Sequence, residues 1–121
     1  MEPTYKIEVI GAKRKLPIRA VIDTGFSGEL CIPVDDAIRL GLELVGKDEV
    51  EYADGRREQE LFFKGAVRIL GEVKDVKIFL TESQDSLIGT DLLEDCQLVI
   101  DFPKGDVQLT RPGMKTTKRE R

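Results

Sequence analysis

Histidine is absent from this sequence of 121 residues. That removes the usual base of serine and cysteine hydrolases and the commonest zinc ligand, leaving acid–base chemistry to carboxylates, lysine, tyrosine or cysteine. Only two cysteines are present, Cys31 and Cys96, and the N-terminus shows no basic stretch followed by an apolar one. A cytoplasmic, reducing setting is therefore expected, with both cysteines acting as small buried hydrophobes and not as a disulfide. Aromatic residues make up 6% of the chain and the net charge is -4, a poor basis for a nucleic-acid surface. No stretch approaches the roughly 20 apolar residues that span a bilayer, so no membrane partner is expected. One domain is expected, because two would each have too little interior for a stable core.

What is present reads as short strands. Residues 5–10, 16–22, 29–32, 50–52, 62–70, 73–80, 97–102 and 107–110 are apolar or alternating and rich in β-branched side chains. Gly11-Ala12-Lys13, Asp54-Gly55 and Pro103-Lys104-Gly105-Asp106 supply turns between them. Helix is confined to two short candidates. Val34 to Leu40 is entered past Pro33, is capped by Asp35 and Asp36 and closes at Gly41; Asp91 to Asp95 has Thr90 as its N-cap. Residues 1–111 are expected to form the domain, and 112–121 a flexible basic tail.

The chemistry-bearing segment is Ala20-Val21-Ile22-Asp23-Thr24-Gly25-Phe26-Ser27-Gly28. A carboxylate at the end of an apolar strand loses solvation unless something compensates. Gly25 and Gly28 permit a tight turn and a close approach by another backbone. Read alone, Asp-Thr-Gly fits an ordinary Asx-type turn as well as a catalytic loop. Two further segments follow in order: the Tyr52-Ala53-Asp54-Gly55-Arg56 hairpin, and Ser86-Leu87-Ile88-Gly89-Thr90, an apolar strand ending in glycine.

In that order these segments resemble the retropepsin-like aspartic proteases, and Asp-Thr-Gly-Phe is similar to a small prokaryotic branch of that clan. The resemblance, over about residues 18–102, implies an all-β, closed acid-protease-like barrel with a flap hairpin and one or two short helices. It implies Asp23 as the catalytic acid, with Thr24, Gly25, Phe26, Ser27 and Gly28 as its loop. Ala53, Asp54, Gly55 and Arg56 would form a substrate-binding flap tip, and Leu87, Ile88 and Gly89 would support the loop from below. Phe26, where retroviral members usually carry alanine, is expected to reshape the substrate groove, whose pockets would lie near Phe26, Ile32 and Ile88. Because one chain supplies one suitable acid, the implied enzyme is a homodimer pairing two Asp23 carboxylates, acting on peptides or proteins without metal or other cofactor. Asp91 is read as electrostatic support for a helix start and Asp101 as a turn residue. Two other readings fit the residues: a silent protease-fold module that binds extended peptides or mediates assembly, and, disfavoured by the charge, an oligonucleotide-binding β-barrel.

Overall fold

A computed structural model describes residues 2–113 and 118–120. Strands β1 (Thr4–Ile10) and β2 (Lys15–Ile22) form an antiparallel hairpin in full register from Thr4↔Val21 to Ile10↔Lys15. Their alternation decides which face turns inward: Tyr5, Ile7 and Val9 bury against Ile18, Ala20 and Ile22, while Lys6, Arg19 and Lys15 stay wet. After β3 (Leu30–Pro33), helix α1 (Val34–Leu40) buries Ala37 and Leu40. It ends because Gly41 adopts a left-handed φ of 71° and donates its N–H to the Ala37 and Ile38 carbonyls. Its N-cap is Pro33, with no side-chain cap bond. Asp35 and Asp36 thus do not cap the helix as expected; they sit inside its first turn, favourably placed toward the helix dipole.

The long strands β4 (Glu43–Glu51) and β5 (Arg57–Ile69) form the flap hairpin, and β6 (Glu72–Thr81) returns along β5. Sequence reading recovers only the apolar ends of β4 and β5. Residues 43–49 and 57–61 carry mostly charged or exposed side chains, because a projecting ribbon is wet and has no core to impose alternation. The short β7 (Leu87–Ile88) is followed by β8 (Gln97–Asp101), β9 (Asp106–Thr110) and β10 (Lys118–Glu120). The main sheet runs β1-β2-β7-β3-β6-β5-β4, and an additional β1–β5 pairing closes it into a ring. Val9, Ala20, Leu30, Ile32, Leu40, Val67, Ile78, Ile88, Leu92 and Leu109 fill it.

Three strands, β10-β9-β8, make a second sheet. Within the segment expected to be a basic tail, residues 118–120 pair with β9, Lys118 opposite Leu109 and Glu120 opposite Val107. The rest of that tail beyond Gly113 lies outside the described residues. The second expected helix is absent: 91–95 is a run of turns, with Leu92 N–H on Gly89 O, Leu93 N–H on Thr90 O and Cys96 N–H on Leu93 O. Bonds three residues apart tighten this segment beyond α-helical pitch, and the Thr90 hydroxyl reaches the Phe26 carbonyl at 3.4 Å. Both cysteines are free, Cys31 buried and Cys96 half-buried.

Candidate active site

Strand β2 delivers Asp23 to its C-terminal end, and β7 fixes it there from the side. Val21 and Ile22 pair in parallel with Leu87 and Ile88, and the Asp23 N–H donates to Ile88 O at 2.9 Å. Beyond Asp23 the chain turns back: Phe26 N–H donates to Asp23 O at 3.2 Å, and Gly25 N–H donates to the Asp23 carboxylate Oδ1 at 2.9 Å. The half-buried carboxylate therefore carries one backbone donor, which orients it. Thr24, beside it, is exposed.

Gly89 makes the support beneath this loop possible. A Cβ there would overlap the Gly28 carbonyl and lie 2.7 Å from the Phe26 carbonyl. The bare backbone can instead approach, and four bonds join the two segments: Gly89 N–H to Glu29 O, Thr90 N–H and hydroxyl to Phe26 O, and Asp91 N–H to Gly28 O. Asp91 lines, with Ser27, Gly28, Glu29, Asp48 and Lys77, a cavity of about 150 Å³ that Asp23 does not line.

Phe26 points into the chain's interior. It is 1% exposed and forms a second apolar cluster with Cys31, Val50 and Phe79, flanked by Tyr52, Phe62 and Leu87. Its ring stacks on Tyr52 with centroids 6.2 Å apart and meets Phe79 edge-on at 6.1 Å. Ile32 and Ile88 are likewise fully buried, so all three expected pocket residues lie inside the chain's own core. Burial and then the charge of Glu60 push the Cys31 thiol up to about 12, so it stays protonated beside these rings. Tyr52 donates its hydroxyl to Glu60 at 2.9 Å; burial first, then this bond and charge, push its phenol up to about 12.

The flap tip is a tight turn held by Tyr52 N–H to Arg56 O and Gly55 N–H to Tyr52 O, both 2.9 Å, with Gly55 at φ 84°. Asp54, Gly55 and Arg56 are exposed, and the Arg56 guanidinium lies 4.7 Å from the Tyr52 ring centroid. Ala53, also exposed, lies against Gly25: a Cβ built on Gly25 would stand 2.5 Å from that of Ala53. Ser27 ties the flap to the loop twice, donating its N–H to Glu51 O at 3.0 Å and accepting the Glu51 N–H on its hydroxyl at 2.9 Å. The structure thus brings together residues 23–28, 87–89 and Ala53, and leaves Asp54 to Arg56 on the outer side of the tip. Sequence reading missed Glu51, Tyr52 and Phe79 as partners of the loop, and Glu60 as the acceptor of Tyr52; no spacing signal links them, because they reach it from distant parts of the chain.

Lysine 77 braces the flap root. Its ammonium pairs with Asp48 at 2.6 Å and lies 4.9 Å from the Phe62 ring centroid, while its N–H donates to Glu29. The Lys77 hydrogen bond, foremost, holds the Asp48 carboxyl below its usual range.

An acidic loop at a strand end thus lies between an apolar-Gly strand beneath it and a hairpin above it. A family model described as Aspartyl protease matches residues 6–92, and the chain belongs to that family. Among solved structures, the protease of EIAV, complexed with the inhibitor HBY-793, superposes with a TM-score of 0.60 at 14% identity, covering 78% of this chain and 88% of that one. The retroviral protease-like domain of Ddi1 from Leishmania major superposes with a TM-score of 0.54 at 15% identity, covering 100% and 97%. The fold is retropepsin-like. No functionally curated protein matches the sequence.

Proposed function

We propose that this chain is an aspartic endopeptidase that works as a homodimer, with Asp23 of each copy sharing one water across a two-fold axis. The observation that carries the reading is the Asp23 carboxylate itself, set at a strand end and oriented by Gly25 N–H, with a family fold around it. Two carboxylates in contact cannot both ionise, so the pair holds one proton. The ionised member takes a proton from the water as it attacks the peptide carbonyl, and the protonated member donates to the carbonyl oxygen. The tetrahedral intermediate collapses as the C–N bond breaks and the departing nitrogen takes a proton from the dyad. Metal and organic cofactor have no step in this scheme. The exposed Thr24 stands next to the axis, and Ala53 to Arg56 would add a strand to an extended peptide. A cytoplasmic setting is part of the proposal and accords with two free cysteines.

The test is dilution and poisoning with unfolded casein as substrate. The active species should have twice the 13.6 kDa chain mass, and Asp23→Asn should dimerise yet cleave nothing. Mixing one part wild type with nine parts Asp23→Asn should lower activity per wild-type chain about tenfold, because most wild-type chains then pair with an inert copy. Activity proportional to wild-type concentration alone, or cleavage by pure Asp23→Asn, overturns the mechanism. The contact of Ala53 with Gly25 favours a second reading, a peptide-holding module without turnover; casein binding that survives Asp23→Asn, with no hydrolysis from acid to neutral pH, would establish it.

A further inference from the structure

Three consecutive loop residues meet three consecutive flap residues in reverse order. Gly25 lies under Ala53, Phe26 stacks on Tyr52, and Ser27 exchanges two hydrogen bonds with Glu51. The flap thus lies along the loop as an extended peptide would, and the backbone groups that such a peptide needs are already engaged. Ser27 N–H is taken by Glu51 O, and the Glu51 N–H is taken by the Ser27 hydroxyl. No space remains between Gly25 and Ala53 for a main chain, since even one methyl on Gly25 would stand 2.5 Å from the Ala53 Cβ.

We propose that Ser27 is the positioning residue of a self-occluding latch: in the substrate-free chain the flap segment 51–53 occupies the loop as a surrogate peptide, and substrate enters by displacing it. This rests on the peptidase reading and adds its regulation. Ser27 does not touch the reacting atoms; it sets how often the site is open. Apparent affinity is reduced by the fraction of time the competent, open state is populated. Phe26 contributes by anchoring Tyr52 to the closed form, and the Lys77–Asp48 pair keeps the flap root fixed, so opening is a movement of the tip end only.

Ser27→Ala removes the hydroxyl acceptor and leaves the Ser27 N–H to Glu51 O bond available. Amide hydrogen exchange at residue 27 then reports lifting of the flap and not the deleted bond. Exchange there should accelerate about two- to tenfold, the worth of one net hydrogen bond, and Ser27→Thr should restore it. With casein, kcat/KM for Ser27→Ala should rise by a similar factor through KM, again reversed in Ser27→Thr. Unchanged exchange at residue 27 overturns the latch. Faster exchange with an unchanged or higher KM overturns the competition between flap and substrate. If no form, wild type included, cleaves casein while exchange accelerates and Thr restores it, the peptidase reading fails and the latch stands.

Discussion

Gly89→Ala tests whether the loop is held from below by close backbone contact. The added methyl would overlap the Gly28 carbonyl and stand 2.7 Å from both the Phe26 carbonyl oxygen and the ring carbon Cδ2. Two of these neighbours are backbone and the third is a fully buried ring, so none yields by a simple rotamer change. Overpacking of this kind costs about 1–3 kcal/mol. Lifting the loop also stretches Gly89 N–H to Glu29 O and Thr90 N–H to Phe26 O, now 3.0 and 2.9 Å, at about 1 kcal/mol each if lost. A total of about 2–4 kcal/mol follows, since relief of the clash and loss of the bonds partly exchange for one another. With a urea m-value of about 2 kcal/mol/M, the unfolding midpoint should fall by about 1–2 M with m unchanged. Gly46→Ala is the matched control: its Cβ would meet only Phe62 Cε1, at 3.9 Å. Less chain entropy in the unfolded state should leave it neutral or more stable by up to about 1 kcal/mol. Equal midpoints for the two variants would refute the close-approach argument. A loop displaced in Gly89→Ala carries Asp23 with it, so the proposed peptidase activity should fall in the same variant.

Phe26→Ala should cost about 3–5 kcal/mol in urea unfolding, because a ring packed on Tyr52 and Phe79 is replaced by a cavity; a loss under 1 kcal/mol would mean that the ring lies in an open groove after all. Cys31 and Tyr52 keep their protons to about 12 in the folded chain, against ordinary values of 9.0 and 10.0. Folded-state values above unfolded ones mean a contribution that is complete below about pH 9 and is lost as pH rises toward 12, because the unfolded chain binds fewer protons there. The drop in urea midpoint from pH 8.5 to 11 should therefore be smaller in the Cys31→Val, Tyr52→Phe double variant; an equal drop refutes the assignment. Arg111 is buried, with 11% of its side chain exposed, and faces Glu72 and Asp95, themselves 62% and 60% exposed. Arg111→Met leaves two carboxylates in water and no buried charge, so its unfolding free energy from urea titration should stay within about 1 kcal/mol of wild type; a loss of several kcal/mol would show the ion pairs to be net stabilising.

The order of segments in the sequence was enough to locate the fold. Apolar alternation in 5–10 and 16–22, the αL glycine at 41 and the Asp54-Gly55 turn each report a local rule, and each element appears where that rule puts it. Where the local rule has nothing to act on, reading fails. Residues 43–49 and 57–61 belong to a ribbon without a dry face, and 91–95 carries helical composition that tertiary bonds to the Asp23 loop pull into turns.

By itself the sequence determined the chemistry available: one carboxylate at an apolar strand end, no histidine, and glycines at 25 and 89. Only the tertiary structure decided what surrounds that carboxylate. Phe26 turns into the core because Tyr52 arrives from the flap tip and Phe79 from β6 to receive it, and Ser27 becomes a flap contact because β4 ends beside it. Partners separated by 24 to 64 residues are set by the closure of the ring, and no pattern along the chain encodes that distance.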